Sequence, residues 1–194
     1  MQYISISGPV ASGKTTLLRM ILSRIGDRSK AHEECPEDNS FLRAACSDPR
    51  RWSFHSQAAF LSLYFSCPDW QYPDCDFYFF DRCFEENLIL AKHRFLNGDL
   101  SRSEYQVLES LTKGIRDLMP PIDKYIYLQC TIPLLVSRYR MRGRDYEASL
   151  DEQYAKIQKE LYDQWILTFP KDKVLYIRED VELDMERVIS FVES

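Results

Sequence analysis

Along the chain, short apolar runs alternate with longer stretches in which apolar residues recur every three or four positions. Five runs have strand character: Tyr3–Ser7, Ala31–Glu34, Phe77–Phe80, Lys124–Gln129 and Lys173–Ile177. Between them, Leu17, Leu18, Ile21, Leu22 and Ile25 repeat with helical spacing, as do Phe54, Ala58, Leu61 and Phe65. Leu150, Tyr154, Ile157, Leu161 and Trp165 form a third such stripe. Strands that alternate with helices predict an α/β fold with a mostly parallel sheet. The unbroken run Phe77-Tyr78-Phe79-Phe80 predicts a central strand buried on both faces. Pro68 and Pro73 separate a helix from this strand, and Pro120-Pro121 stops a helix before the fourth. With no internal repeat, low-complexity stretch or linker, residues 1–194 are expected to form one domain.

Composition narrows the classes. The 194 residues carry a net charge of -5, which disfavours a general nucleic-acid coat. No apolar run approaches the roughly 20 residues that cross a bilayer. Met1–Ser7 has neither a basic lead nor a long apolar core, so a secretory signal is not expected and a cytoplasmic location is. The cysteines at 35, 46, 67, 75, 83 and 130 include no CxxC pair and are expected as free thiols. With only His32, His55 and His93 to assist them, a metal cluster is not expected.

The densest chemical signal is Gly8-Pro9-Val10-Ala11-Ser12-Gly13-Lys14-Thr15, an ungapped GxxxxGK[ST] phosphate loop between a predicted strand and a predicted helix. Its glycines let successive N–H groups curl toward phosphate oxygens, and the following helix presents its positive end to the same anion. Lys14 is placed to reach the β- and γ-phosphates and Thr15 to hold Mg²⁺. Asp81 and Arg82 leave the end of the third predicted strand together. In a doubly wound sheet that end lies at the site. Glu33-Glu34 end the second predicted strand, and either is a candidate to take the proton of an alcohol acceptor. Arg138, Arg140, Arg142 and Arg144 concentrate guanidinium groups near a helix end, with Thr131 and Pro133 as its start signals and Gly143 loosening it. Such a segment suits a lid that closes on polyphosphate.

In these blocks the chain resembles the deoxynucleoside kinase family. The resemblance covers nearly the whole chain. Its blocks are Gly8–Thr16, Glu34-Cys35-Pro36-Glu37-Asp38-Asn39 with Asp48–Gln57, Asp81-Arg82-Cys83, and Arg138–Glu147. It implies a phosphate-loop kinase fold, with a five-stranded parallel sheet, helices on both faces and an arginine-rich lid. The implied reaction is ATP- and Mg²⁺-dependent phosphorylation of a deoxynucleoside 5′-OH, in a homodimer formed through helices 49–66 and 83–98. Glu34 matches the acid that bonds the 5′-OH and Arg82 the arginine beside it. Asp81 matches the acid near Mg²⁺, itself a candidate proton acceptor. Gln57 matches the reader of the base edge, and Glu147 the lid acid on the 3′-OH. Arg142 and Arg144 match phosphate-binding lid arginines, with Arg138 in support. Glu179-Asp180-Val181 resembles the loop packed on the adenine of ATP, with Val10, Ala11, Ser12, Gly13 and Thr16 completing the loop's contacts. Trp52, Phe54 and Phe84 are candidates to border the nucleoside.

The departures carry information too. Cys46 replaces a tyrosine that bonds the 3′-OH, and Cys83 replaces a serine. Tyr64 and Asn87 stand where deoxycytidine-preferring members carry arginine and aspartate. Loss of that pair points to a pyrimidine, thymidine ahead of deoxycytidine. A thymidylate kinase and a non-catalytic nucleotide switch are the alternatives. An acid at Glu34 would repel an incoming 5′-phosphate, and no Asn-Lys-x-Asp guanine reader occurs.

Overall fold

The computed structural model describes residues 1–66, 70–71, 73–144, 150–178 and 181–194. Five parallel strands form one sheet: β1 (Gln2–Ser7), β2 (Ser29–His32), β3 (Phe77–Asp81), β4 (Lys124–Gln129) and β5 (Val174–Arg178). Their order is β2-β3-β1-β4-β5. From β1 the chain goes to the edge strand β2, returns to β3 beside β1, and then crosses β1 to β4 and β5, so the direction of winding reverses between the ends of β1 and β3. That is where open α/β sheets bind ligands.

Alternation along the strands sends side chains to opposite faces. Ile4, Ile6, Phe77, Phe79 and Ile126 point to one face and pack on Leu17, Leu18 and Ile21 of α1 (Lys14–Ile25) and on Val188 and Val192 of α8 (Met185–Glu193). Tyr78 and Phe80 point to the other face. They meet α3 (Pro49–Ser66), α4 (Glu86–Leu96) and α5 (Arg102–Arg116) through Leu61, Ala91 and Leu108. Farther along that face, Tyr125 and Tyr127 pack on Tyr162 and Ile166 of α7 (Glu152–Ile166). The short α2 (Leu42–Ser47) precedes α3, and α6 (Ile132–Arg142) precedes the lid segment. All five residues of β3 are buried, as its apolar run predicts for a strand covered on both sides.

Two expectations shift. The second strand lies two residues earlier than its apolar pattern suggested, because its register on β3 runs from Ser29 opposite Phe77 to His32 opposite Phe80. Glu33 and Glu34 therefore follow the strand instead of ending it. Thr131 occupies the N-cap of α6, but its side chain makes no capping bond; Pro133 sits in the first turn as expected. Gly143 takes a left-handed conformation (φ 60°) and terminates α6 as a glycine C-cap. The five described cysteines form no disulfide among the described residues. No helix among the described residues is long and apolar enough to cross a membrane.

The ends of α5 show how sequence fixes a boundary: Ser101 accepts from the Glu104 N–H while the Glu104 carboxylate accepts from the Ser101 N–H. In urea titrations, Ser101→Ala should cost about 1 kcal/mol. Phe79→Ala, which empties the sheet centre, should cost about 3–5 kcal/mol.

Candidate functional site

The phosphate loop leaves β1 in a curl that requires unusual backbone angles. Gly8 has φ 148° and Gly13 φ 102°, and Ala11 is left-handed at φ 63°. A Cβ at Gly8 would come within 3.1 Å of the Leu128 carbonyl, which is backbone and cannot yield easily. Lys14 is buried, and its Nζ donates to the carbonyls of Gly8 (2.9 Å) and Pro9 (2.8 Å). Arg138 of α6 braces the loop from outside, donating to the Ser12 carbonyl at 2.8 Å and that of Ala11 at 3.3 Å.

Parallel pairing of β1 with β3 sets Ile6 opposite Asp81, so the acid lies beside the loop. Thr15 Oγ1 donates to Asp81 Oδ2 at 2.5 Å, while Asp81 Oδ1 is buried with no partner among the described residues. Burial raises the Asp81 pKa against the pull of Lys14 and Thr15. Thr15 and Asp81 thus offer hard oxygen donors, one of them unsatisfied, of the kind that suits Mg²⁺.

Arg82 also takes a left-handed backbone (φ 78°), strain that persists only when surroundings hold it. Its guanidinium is 3% exposed. Nε donates to Glu34 Oε2 at 3.0 Å, Nη1 donates to the Tyr162 hydroxyl, and Glu86 lies 3.8 Å from Nη1. Burial alone would lower the Arg82 pKa, but Glu34, Tyr162 and Glu86 hold it well above its ordinary value. Glu33 instead pairs on the surface with Arg19 at 2.9 Å. Of the two adjacent acids, it is Glu34 that turns to the buried arginine.

These groups open into a cavity of about 280 Å³ lined by Lys14, Glu34, Asp81, Arg82 and Gln57. Gln57 of α3 is buried, and its Oε1 has no partner among the described residues. A second cavity of about 590 Å³ lies across the loop, against Ser12, Gly13, Thr16 and Arg138. The exposed apolar residues Met20, Met141 and Val181 gather there, a surface suited to a planar base. Ala11 and Arg142 line both cavities, and Val10 and Arg144 the first. Arg144 pairs with Glu37 at 3.2 Å. The arrangement is two spaces separated by the phosphate loop, with Arg142 reaching both.

Three expected base-side residues lie elsewhere. Tyr64 is buried behind the cavity, where its hydroxyl donates to the Arg82 carbonyl at 2.9 Å and its ring stacks on His32. Asn87 is buried in the first turn of α4 and donates to the Phe84 carbonyl at 2.9 Å. Trp52 stacks on Phe41 and abuts His55. None of the three lines the cavity. Phe54 and Phe84 pack in the core between α3, α4 and β3. Glu147, Glu179 and Asp180 lie outside the described residues.

Sequence reasoning missed Phe60, Leu90, Arg94 and Tyr154 in the cavity wall. Phe60 follows Gln57 by three positions, so helical spacing could have found it. Glu86 was missed as well. It is fully buried, and its Oε1 accepts from Ser7 (2.8 Å), Ser5 (3.3 Å) and the Cys83 N–H (2.9 Å). No local pattern marks it.

This geometry, on a five-stranded parallel sheet, defines a phosphate-loop kinase fold. The deoxynucleoside kinase family model matches residues 4–193, and the chain belongs to that family, enzymes that phosphorylate deoxynucleosides. A deoxyadenosine/deoxycytidine kinase of Bacillus subtilis is 29% identical over 184 residues, covering 93% of this chain and 84% of the relative. A deoxyguanosine kinase of the same organism is 27% identical over 158 residues, covering 78% and 72%. Among solved structures, a deoxyadenosine kinase from M. mycoides with bound dATP superposes with a TM-score of 0.83 at 20% identity, over 100% of both chains.

Burial, with Arg82 nearby, lowers the Lys14 pKa to about 8. Above pH 8 the free site therefore holds mostly neutral lysine, and a bound triphosphate should restore the proton. Calorimetric titration with tripolyphosphate in buffers of differing ionisation enthalpy should show greater proton uptake at pH 8.5 than at pH 7. Lys14→Met should abolish that difference.

Proposed function

We propose that the protein transfers the γ-phosphoryl group of ATP, with Mg²⁺, to the 5′-OH of a deoxynucleoside whose base carries an exocyclic amino group, deoxyadenosine or deoxycytidine. The observation that carries the reaction is the convergence of Glu34, Arg82, Asp81, Thr15 and Lys14 between two cavities that meet at the phosphate loop.

The nucleoside occupies the cavity bounded by Glu34 and Gln57, and the donor base occupies the cavity with Met20, Met141 and Val181. Glu34 accepts the 5′-OH proton, and Arg82 fixes the Glu34 carboxylate while donating toward the same oxygen. Lys14, the loop N–H groups, Arg142 and Arg144 stabilise the charge spread over the transferring group, and Arg138 keeps the loop in shape. Thr15 and Asp81 would hold Mg²⁺, which neutralises charge on the β- and γ-phosphate oxygens. Glu147 on the lid would bond the 3′-OH, and residues 179–181 would flank the donor base.

An unpartnered Gln57 Oε1 calls for a donor, and its amide NH₂ can donate beside it. Adenine and cytosine present an amino donor next to a ring acceptor. Turned over, the same amide would also meet thymine, so the choice leans on the relatives named for deoxyadenosine and deoxycytidine. The thymidine expectation rested on Tyr64 and Asn87 standing in place of an arginine–aspartate pair that reads amino-substituted bases. Neither side chain lines the cavity, so the base edge is left to Gln57. A homodimer is part of the reading. The expected helices are α3 and α4, on which Phe65 and Leu96 are exposed.

Turnover of the four natural deoxynucleosides and thymidylate with ATP–Mg²⁺ tests this. Deoxyadenosine or deoxycytidine should exceed thymidine by at least about tenfold in kcat/KM, and thymidylate should not react. A preference for thymidine would overturn the base assignment, and turnover of thymidylate alone would overturn the reaction. Glu34→Ala and Asp81→Ala should each lower kcat by about 10²–10⁴ while ATP still binds.

A further inference from the structure

Helix α7 carries three polar residues at a spacing of four: Tyr154, Gln158 and Tyr162. That spacing puts them on one face, one turn above another. Gln158 is fully buried, in a position where an amide is costly unless both its ends are used. Both are used. Its Oε1 accepts from the backbone N–H of Val10, inside the phosphate loop, at 2.7 Å. Its Nε2 donates to the Tyr154 hydroxyl at 3.2 Å, and Tyr154 lines the cavity that also contains Glu34 and Gln57. One turn further on, the Tyr162 hydroxyl accepts from Arg82.

We infer that Gln158 and Tyr162 are positioning residues, and that this face of α7 sets the phosphate loop and the buried arginine relative to each other. Most loop N–H groups must point inward to bind phosphate. The Val10 N–H is taken instead by Gln158, and the Ala11 and Ser12 carbonyls are taken by Arg138 from the far side. The loop is therefore held at its N–H side by α7 and at its carbonyl side by α6. The amide satisfies both Val10 and the Tyr154 hydroxyl, and an apolar side chain would satisfy neither. The start of α7 is itself fixed: Asp151 caps it by accepting from the Tyr154 N–H at 2.8 Å. One rigid helix thus contacts the nucleoside cavity, the loop and Arg82 at successive turns.

The inference rests on the proposed reaction, and steady-state kinetics separate the two. The native chain with ATP–Mg²⁺ and deoxyadenosine or deoxycytidine is the control. If it shows no turnover, the functional reading fails. Gln158→Met keeps the shape and removes both hydrogen bonds. It should raise KM for ATP about tenfold, equivalent to about 1.4 kcal/mol, with kcat within about threefold. Tyr162→Phe removes the hydroxyl that meets Arg82 and Glu86 and leaves the phosphate loop's contacts in place. It should lower kcat about tenfold with KM for ATP within about twofold. A role in packing alone would lower the Tm of both variants and leave kcat and KM native at temperatures well below it. That result, or the same kinetic change in both variants, would overturn the inference. Should Gln158→Met not fold, the kcat-against-KM split of Tyr162→Phe decides by itself.

Discussion

The organising constraint of this molecule is a guanidinium with almost no access to water. Arg82 follows the end of β3 in a left-handed backbone conformation, its side chain 3% exposed. A cation so placed is tolerable only if it is paired and hydrogen-bonded, and removing one partner from such a cluster costs about 3–5 kcal/mol. Its partners come from three separate parts of the chain: Glu34 after β2, Glu86 in α4 and Tyr162 in α7. Each must arrive for the others to be stable. The elements that frame the cavity beside Glu34 are thus tied together at one point, and the candidate base is held beside the arginine without any ligand.

The same compensation explains how an acidic chain prepares a site for polyphosphate. Net charge is -5 over the whole sequence, yet Lys14, Arg82, Arg138, Arg142 and Arg144 cluster around one loop. Without ligand, Lys14 rests on the loop's own carbonyls, and Arg82 rests on buried acids. Burial raises the pKa of both Asp81 and Glu86 and lowers that of Lys14, so each charge here depends on its neighbours. The loop also divides the space. Apolar residues gather on one side of it, and acids with the Gln57 amide gather on the other.

Much of this was legible in one dimension. All five strands fell within two residues of their apolar runs, and the phosphate loop, Asp81, Arg82 and Gln57 came together as their motifs implied. Local patterns sufficed because each of these residues is adjacent to the element that positions it. The failures share one cause. Tyr64 is two helical turns beyond Gln57 and on the same face, but the helix has by then passed the cavity and entered the core, where the hydroxyl finds the Arg82 carbonyl. Asn87 likewise turns to the backbone of its own helix start. Spacing along a helix gives the face but not the depth.

What the sequence alone determined was the fold class, the loop and the set of chemical groups, because strand alternation, helix periodicity and the glycine pattern act over a few residues. Spacing left Glu33 and Glu34 open and the resemblance pointed to Glu34; the tertiary structure supplied the physical reason, by pairing one with surface Arg19 and the other with buried Arg82. Only the tertiary structure revealed Glu86, Gln158 and Tyr162, polar residues inside stretches that read as ordinary helix. Their roles exist through partners up to 148 positions away, and no property of a single segment encodes a hydrogen bond across such a distance.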